Sequence, residues 1–170
     1  MADVTPRATD HLLAGRASFL LSQLGAHSAH GFAQRLAPLG MQPSHFGLLM
    51  HLSRGEGQSQ QRLADAMGIH RNVMVGLVDE LEDRRLIERR RHPADRRAHA
   101  IHLTAAARDL LRRAQRVADE HEAELLAGIS EDDRTHLIAL LQHLVDHTEL
   151  PPGVHPGLRD NQPSGTSRRC

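Results

Sequence analysis

The sequence predicts a mainly α fold with one small β-hairpin, and three observations predict it. Aromatic content is 2%, with no Trp or Tyr, so the core has to be built from Leu, Ala, Val, Ile and Met, a set that favours helices. Apolar residues recur at spacings of three and four through most of the chain, the period of an amphipathic helix. One stretch alone, residues 84–103 (RRLIERRRHPADRRAHAIHL), breaks that rhythm. There LIERR reads as a short strand, HPADR as a turn at Pro93, and AHAIHL as a returning strand with Ile101 and Leu103 on one face. At 170 residues the chain is one domain, long enough to bury a core.

The elements follow in order. Residues 1–8 read as a flexible leader, and a dimerisation segment over 9–42 is built on a helix from Thr9 to about Ala37. Leu13, Ala17, Leu20, Leu24, His27 and Gly31 form its narrow stripe, and Leu39-Gly40 ends it. Pro43 opens a second helix with Phe46, Leu49, Met50 and Leu52 facing inward. Two short helices come next, over 59–67 and 71–84. Leu63, Ala64, Met67 and Ile69 line the first, Gly68 turns the chain, and Val73, Met74, Leu77, Val78 and Leu81 line the second. Strands over 86–91 and 98–103 close a unit spanning 43–103.

Thr104 caps a helix to about Ala127, with Leu110, Leu111, Ala114, Val117 and Ala118 on one side and Arg108, Arg112, Arg113 and Arg116 on the other. Ser130, followed by Glu131, Asp132 and Asp133, opens a last helix to about Thr148, through Leu137, Leu140, Leu141, Leu144 and Val145. These two helices make a second dimerisation segment, 104–149. Residues 150–170 hold four prolines and three glycines and read as a disordered tail.

Two short helices joined at a glycine match a helix-turn-helix, whose second helix offers its first turns to the major groove, so 43–103 reads as a DNA-binding domain. Those turns carry His70, Arg71, Asn72 and Val75. Arg suits guanine, Asn suits adenine, and Val suits a thymine methyl. Gln60, opening the first of the two helices, joins them. The hairpin adds cations: seven arginines against Glu88 and Asp95 give residues 84–97 a local excess of +5 in a chain of net charge zero. A charge run alone is as often a solvated surface. Directly behind a helix-turn-helix it makes a wing, in which Arg84, Arg90, Arg91, Arg96 and Arg97 are the expected DNA contacts. Asp95 is expected to shape the wing, and Arg96 at its tip to enter the minor groove.

The stretch LADAMGIHRNVMVGLVDELEDRRLIERRRHPADRRAHAIHLTAAA resembles the MarR family of bacterial transcriptional regulators. Asp95, Arg97, Ile101, Leu103 and Thr104 fit that family's wing signature, and a weaker likeness runs over roughly residues 10–148. Arg85 stands where a glycine is usual, Ala107 replaces a second glycine, and His70 replaces a small polar cap. The resemblance implies a winged helix-turn-helix fold, a homodimer interlocked through its terminal helices, and release from DNA by a small molecule. It implies a ligand pocket between the dimer arms and the winged domain, for which Arg16, His27, His30, His45 and His51 are the polar groups to weigh. Arg16 would anchor an aromatic or otherwise apolar anion. The family's thiol sensors use a cysteine near the N-terminus, and the single cysteine here is Cys170.

Composition bounds the alternatives. One cysteine excludes a disulfide framework and suits a reducing cytoplasm, and the N-terminus shows no signal peptide. All 21 basic residues are Arg, a uniformity better ascribed to codon bias than to site-by-site selection. Fourteen histidines raise a zinc-responsive reading, with His143 and His147 one helical turn apart and His136 a heptad earlier, yet no cysteine joins them. An architectural protein binding DNA without sequence preference is the other alternative. No phosphate loop or nucleophile–base order points to an enzyme, and no cofactor is expected. The acids Asp79, Glu80, Glu82 and Asp83 are expected to pair with Arg84 and Arg85.

Overall fold

The computed structural model describes residues 13–91, 99–148 and 150. The expected leader and, apart from Leu150, the expected tail lie outside the described residues, as does Cys170. Among the described residues are six α-helices and a three-stranded antiparallel sheet: α1 (Ala17–Leu36), α2 (Pro43–Arg54), β1 (Gln58–Ser59), α3 (Gln60–Met67), α4 (Arg71–Asp83), β2 (Ile87–Arg91), β3 (His99–Leu103), α5 (Ala105–Leu125) and α6 (Glu131–Asp146). Among the described residues no helix is long and apolar enough to cross a membrane.

Helix α1 starts at Ala17 rather than Thr9. Residues 13–15 form a turn, and Arg16 takes the extended backbone of an N-cap. Gly15 weakens the helical reading there, because glycine loses more backbone entropy than any other residue. At the other end Gly40, at φ 63°, closes a 3-10 turn over Ala37–Leu39. Helix α2 buries His45, Leu48, Leu49 and Leu52, whereas the expected Phe46 and Met50 are only partly covered. The inward stripe is therefore rotated from the predicted one and includes a histidine. Phe46 meets Phe32 of α1 edge to face, ring centroids 5.4 Å apart.

The core gathers where α2, α3, α4 and the sheet meet. Leu48, Leu49, Leu52, Leu63, Met74, Val78, Leu81, Ile87 and Ile101 are fully buried there. Helix α5 adds Ala107, Leu111 and Ala114 on one face while its arginines stay in solvent. Strand β3 is central, with Ile87 opposite Leu103 and Arg89 opposite Ile101 in β2, and Gln58 opposite Ile101 in β1. Thr104 and Ser130 cap α5 and α6, each hydroxyl accepting the N–H three residues on.

Between α4 and β2 the chain turns at Arg85, whose φ of 57° is the left-handed value that favours glycine. Its N–H donates to Glu82 O (2.7 Å), and its own carbonyl accepts from Thr104 Oγ1 (2.9 Å). A side chain in this region costs on the order of 1–2 kcal/mol. Arg85→Gly relieves that cost but loosens the unfolded chain, so a net gain of about 0.5–1 kcal/mol is expected. Urea denaturation checks it, and a destabilised variant would show that Arg85 earns its place through contacts.

Candidate DNA-reading surface

Helix α4 has two unlike faces. Met74, Leu77, Val78 and Leu81 are buried, while Arg71, Asn72 and Val75 on its first turns are exposed. The side chains of Arg71 and Asn72 make no hydrogen bond or ion pair with any described residue, which leaves their donors available. His70 is the N-cap, and its Nδ1 accepts the Asn72 N–H at 3.2 Å. An imidazole thus does the work of the usual small polar cap. Gly68, at φ 59°, ends α3 and sets the angle between the two helices.

Gln60 opens α3. Its Nε2 is shut from solvent and has no hydrogen-bond partner among the described residues. Arg90 and Arg91 are exposed on β2, and Arg90 pairs with Glu88. Asp95, Arg96 and Arg97 lie outside the described residues. Arg84 is placed otherwise than the sequence suggested. At the far end of α4 it turns inward, with Nη1 3.3 Å from His45 Nδ1 and 3.9 Å from Glu80 Oε1.

The acids of α4 are also met differently than expected. Arg84 approaches Glu80, but Arg85 makes no ion pair among the described residues. Asp79 and Glu82 are both taken by Arg89, which stands outside the expected DNA contacts. Burial works against the Arg89 charge, but the hydrogen bond it donates to Asp79 and the field of Glu82 outweigh it and hold its pKa above the ordinary arginine value.

A second knot sits at the base of the wing. Glu56 accepts the Leu103 N–H (3.3 Å), lies 3.3 Å from His102 Nδ1, and pairs with Arg108 of α5, which also donates to Leu103 O (3.0 Å). Burial alone would raise the Glu56 carboxyl, yet Arg108, His102 and the Leu103 N–H keep it below the usual carboxylate value. Its contribution to stability is therefore present near neutral pH and is lost as pH falls through the lowered value.

Comparison with known proteins decides what this surface belongs to. A putative transcriptional regulatory protein for the hcr operon of Thauera aromatica is 31% identical over 144 residues, 79% of this chain and 87% of that one. The chain belongs to the MarR family of transcriptional regulators. A MarR family model matches residues 39–98, which hold the helix-turn-helix and β2. A transcriptional repressor, CouR, bound to a 23-mer DNA duplex superimposes with a TM-score of 0.71 at 31% identity, covering 78% of this chain and 94% of that one. CouR from Rhodococcus jostii RHA1 bound to p-coumaroyl-CoA gives a TM-score of 0.68 at 29% identity, over 84% and 99%.

In this MarR-family fold the five polar groups weighed for a ligand do not converge by any hydrogen bond among the described residues. Arg16 is exposed at the α1 N-cap and His27 is exposed on that helix. His30, also exposed, is bonded to Gln34 (2.9 Å), and half-buried His51 lies 3.5 Å from Gln58 Nε2. His45 is buried. Its Nδ1 accepts the Gln42 N–H at 3.2 Å, and its Nε2 comes within 3.1 Å of Glu80 Oε2 without the alignment of a good hydrogen bond. The distance supports an electrostatic contact and no more. Sequence reading missed His121 of α5, which stacks on Phe32 with centroids 5.8 Å apart and bonds Ser28 (3.1 Å), joining α5 to α1. Among the described residues no three His, Cys, Asp or Glu side chains converge as a metal ion needs. His147 Nδ1 instead lies 2.7 Å from the His143 carbonyl.

Proposed function

We propose that this MarR-family regulator acts in the cytoplasm as a homodimeric repressor on an inverted-repeat operator and is released by an aromatic or anionic small molecule. The observation that carries the reading is the split of α4, an anchored inner face with Arg71, Asn72 and Val75 free on the outer first turns. In DNA-reading helices those turns meet base edges. Dimerisation is supported by the terminal helices. No residue of helix α6 is fully buried, with Leu140 and Leu144 exposed, and Leu20, Leu21 and Leu24 of α1 are exposed as well. Apolar stripes of this extent call for a partner surface, and a second copy supplies one. Two copies set two α4 helices about one DNA turn apart, hence the inverted repeat.

The test begins with a duplex selected by the wild-type protein from a randomised pool. Arg71→Ala and Asn72→Ala are each expected to cost about 1–3 kcal/mol on that duplex and far less on random DNA. Fluorescence anisotropy measures both. Equal losses on the two duplexes would mean that these side chains touch only phosphate.

Release by a ligand is supported by the CouR structures, one holding DNA and another p-coumaroyl-CoA. A ligand that favours one spacing of the two α4 helices must bind the free and DNA-bound states unequally. Titrations with p-coumaroyl-CoA and free aromatic carboxylates, with and without the selected duplex, are expected to show weaker ligand binding when DNA is present. Arg16→Ala is expected to weaken it further. Affinities indifferent to DNA would remove ligand release, and an unchanged Arg16→Ala would remove Arg16 from the site.

A further inference from the structure

Arg89, Arg90 and Arg91 are one basic block in sequence, but strand alternation sets Arg90 on the other face and Arg91 ends the strand exposed. Arg89 shares the inward face of β2 with buried Ile87, opposite Ile101 and Leu103 of β3. Its side chain is 21% exposed, against 61% for Arg90. The guanidinium spans two carboxylates, Asp79 and Glu82, which stand three residues apart on one side of α4. The Arg89 backbone N–H adds a bond to Glu82 Oε1 at 3.2 Å. Strand and helix are thus held by side chain and main chain together, at the root of the wing.

We propose that Arg89 is a positioning residue for DNA recognition: seated on Asp79 and Glu82, it fixes the angle between the wing and α4 and does not itself touch DNA. The proposal rests on the reading that α4 and the wing meet the same duplex. Base-reading groups tolerate little displacement, since a bidentate contact fails within a fraction of an ångström. A wing free to swing would hold its arginines over the wrong phosphates whenever α4 is in register. The fork of an arginine suits this seat because its rigid plane meets two carboxylates at once, which an ammonium does only in part.

The seat makes an opposite-sign test possible. Asp79→Asn with Glu82→Gln removes two negative charges beside a polyanion and frees a cation. Electrostatics alone then predict tighter binding to any duplex. Loss of the clamp predicts the reverse on the selected duplex, a weakening of about tenfold, within the range of coupling between contacting residues. Arg89→Ala is expected to match that loss, and the triple variant to add little to it. The slope of log affinity against log salt is expected to stay at the wild-type value in Arg89→Ala, whereas Arg91→Ala lowers it by roughly one if Arg91 meets a phosphate.

Arg89→Lys guards against simple misfolding. It keeps the charge and one ion pair, so its melting temperature is expected to hold while binding to the selected duplex falls several-fold. Anisotropy and thermal melting on full-length protein read all of these. Tighter binding by the Asn/Gln pair, a reduced salt slope in Arg89→Ala, or wild-type binding by Arg89→Lys would each overturn the clamp. Failure of the wild-type protein to enrich any duplex would instead sink operator reading itself.

Discussion

Leu140→Glu combined with Leu144→Glu is expected to leave the chain monomeric and to cost at least about 100-fold in affinity for a duplex carrying two half-sites. The two leucines lie one turn apart on α6 and are 54% and 51% exposed, in a helix with no buried residue. In a single chain the substitutions touch nothing of the core, so each folded monomer should melt much as before. In a dimer they would place carboxylates where apolar surface is buried, and an unpaired charge there is costly enough to prevent association. The loss of DNA affinity follows from arithmetic. When two reading heads are joined, the second contact is made at high effective concentration, and separate monomers lose that advantage. Light scattering gives the mass and anisotropy the affinity, with a single half-site as a control expected to bind the variant and wild type alike. A variant that still scatters as a dimer would place the interface elsewhere.

The second large effect is on stability. Leu81→Ala is expected to cost about 2–5 kcal/mol, the range for removing a fully buried leucine whose surroundings close only partly over the gap. Leu81 is wholly enclosed near the end of α4, and its carbonyl accepts the Leu86 N–H at 2.9 Å where the chain turns into the wing. Four apolar residues anchor the reading helix, and this one lies nearest the turn. Guanidinium denaturation should show a lower midpoint with an unchanged slope. A cost below about 1 kcal/mol would mean that the core closes over the site more completely than its packing suggests.

Much of the architecture was legible in the chain because helical periodicity, caps and glycine turns agree with one another. Gly68, Thr104 and Ser130 mark their boundaries in sequence and in space, and the wing strands begin and end within a residue or so of expectation. What could not be read has common physical causes. Strand β1 is two residues long, too short to show a period, and exists because β3 offers it an edge. His45 looks polar in sequence, yet its ring satisfies the Gln42 N–H and so can be buried on the inward stripe of α2. Arg84 and Arg89 read as members of a basic run, but acids on α4 claim both. Long-range pairing of this kind is decided by tertiary placement, which a local charge count does not contain. Helix α1 begins later than its stripe suggested because the stripe continues past the point where Gly15 lets the chain turn.

Ser59 is the last residue of β1 and also the N-cap of α3, its hydroxyl accepting the Arg62 N–H at 3.3 Å. No linker separates the wing sheet from the helix-turn-helix at this point. Whatever tilts α3 is therefore transmitted to β3 through the Ser59–Ala100 pairing without slack, and from β3 to β2. Geared in this way through α3, and held to α4 by the Arg89 seat, the wing and the reading head would pass motion arriving from elsewhere in the chain as one lever.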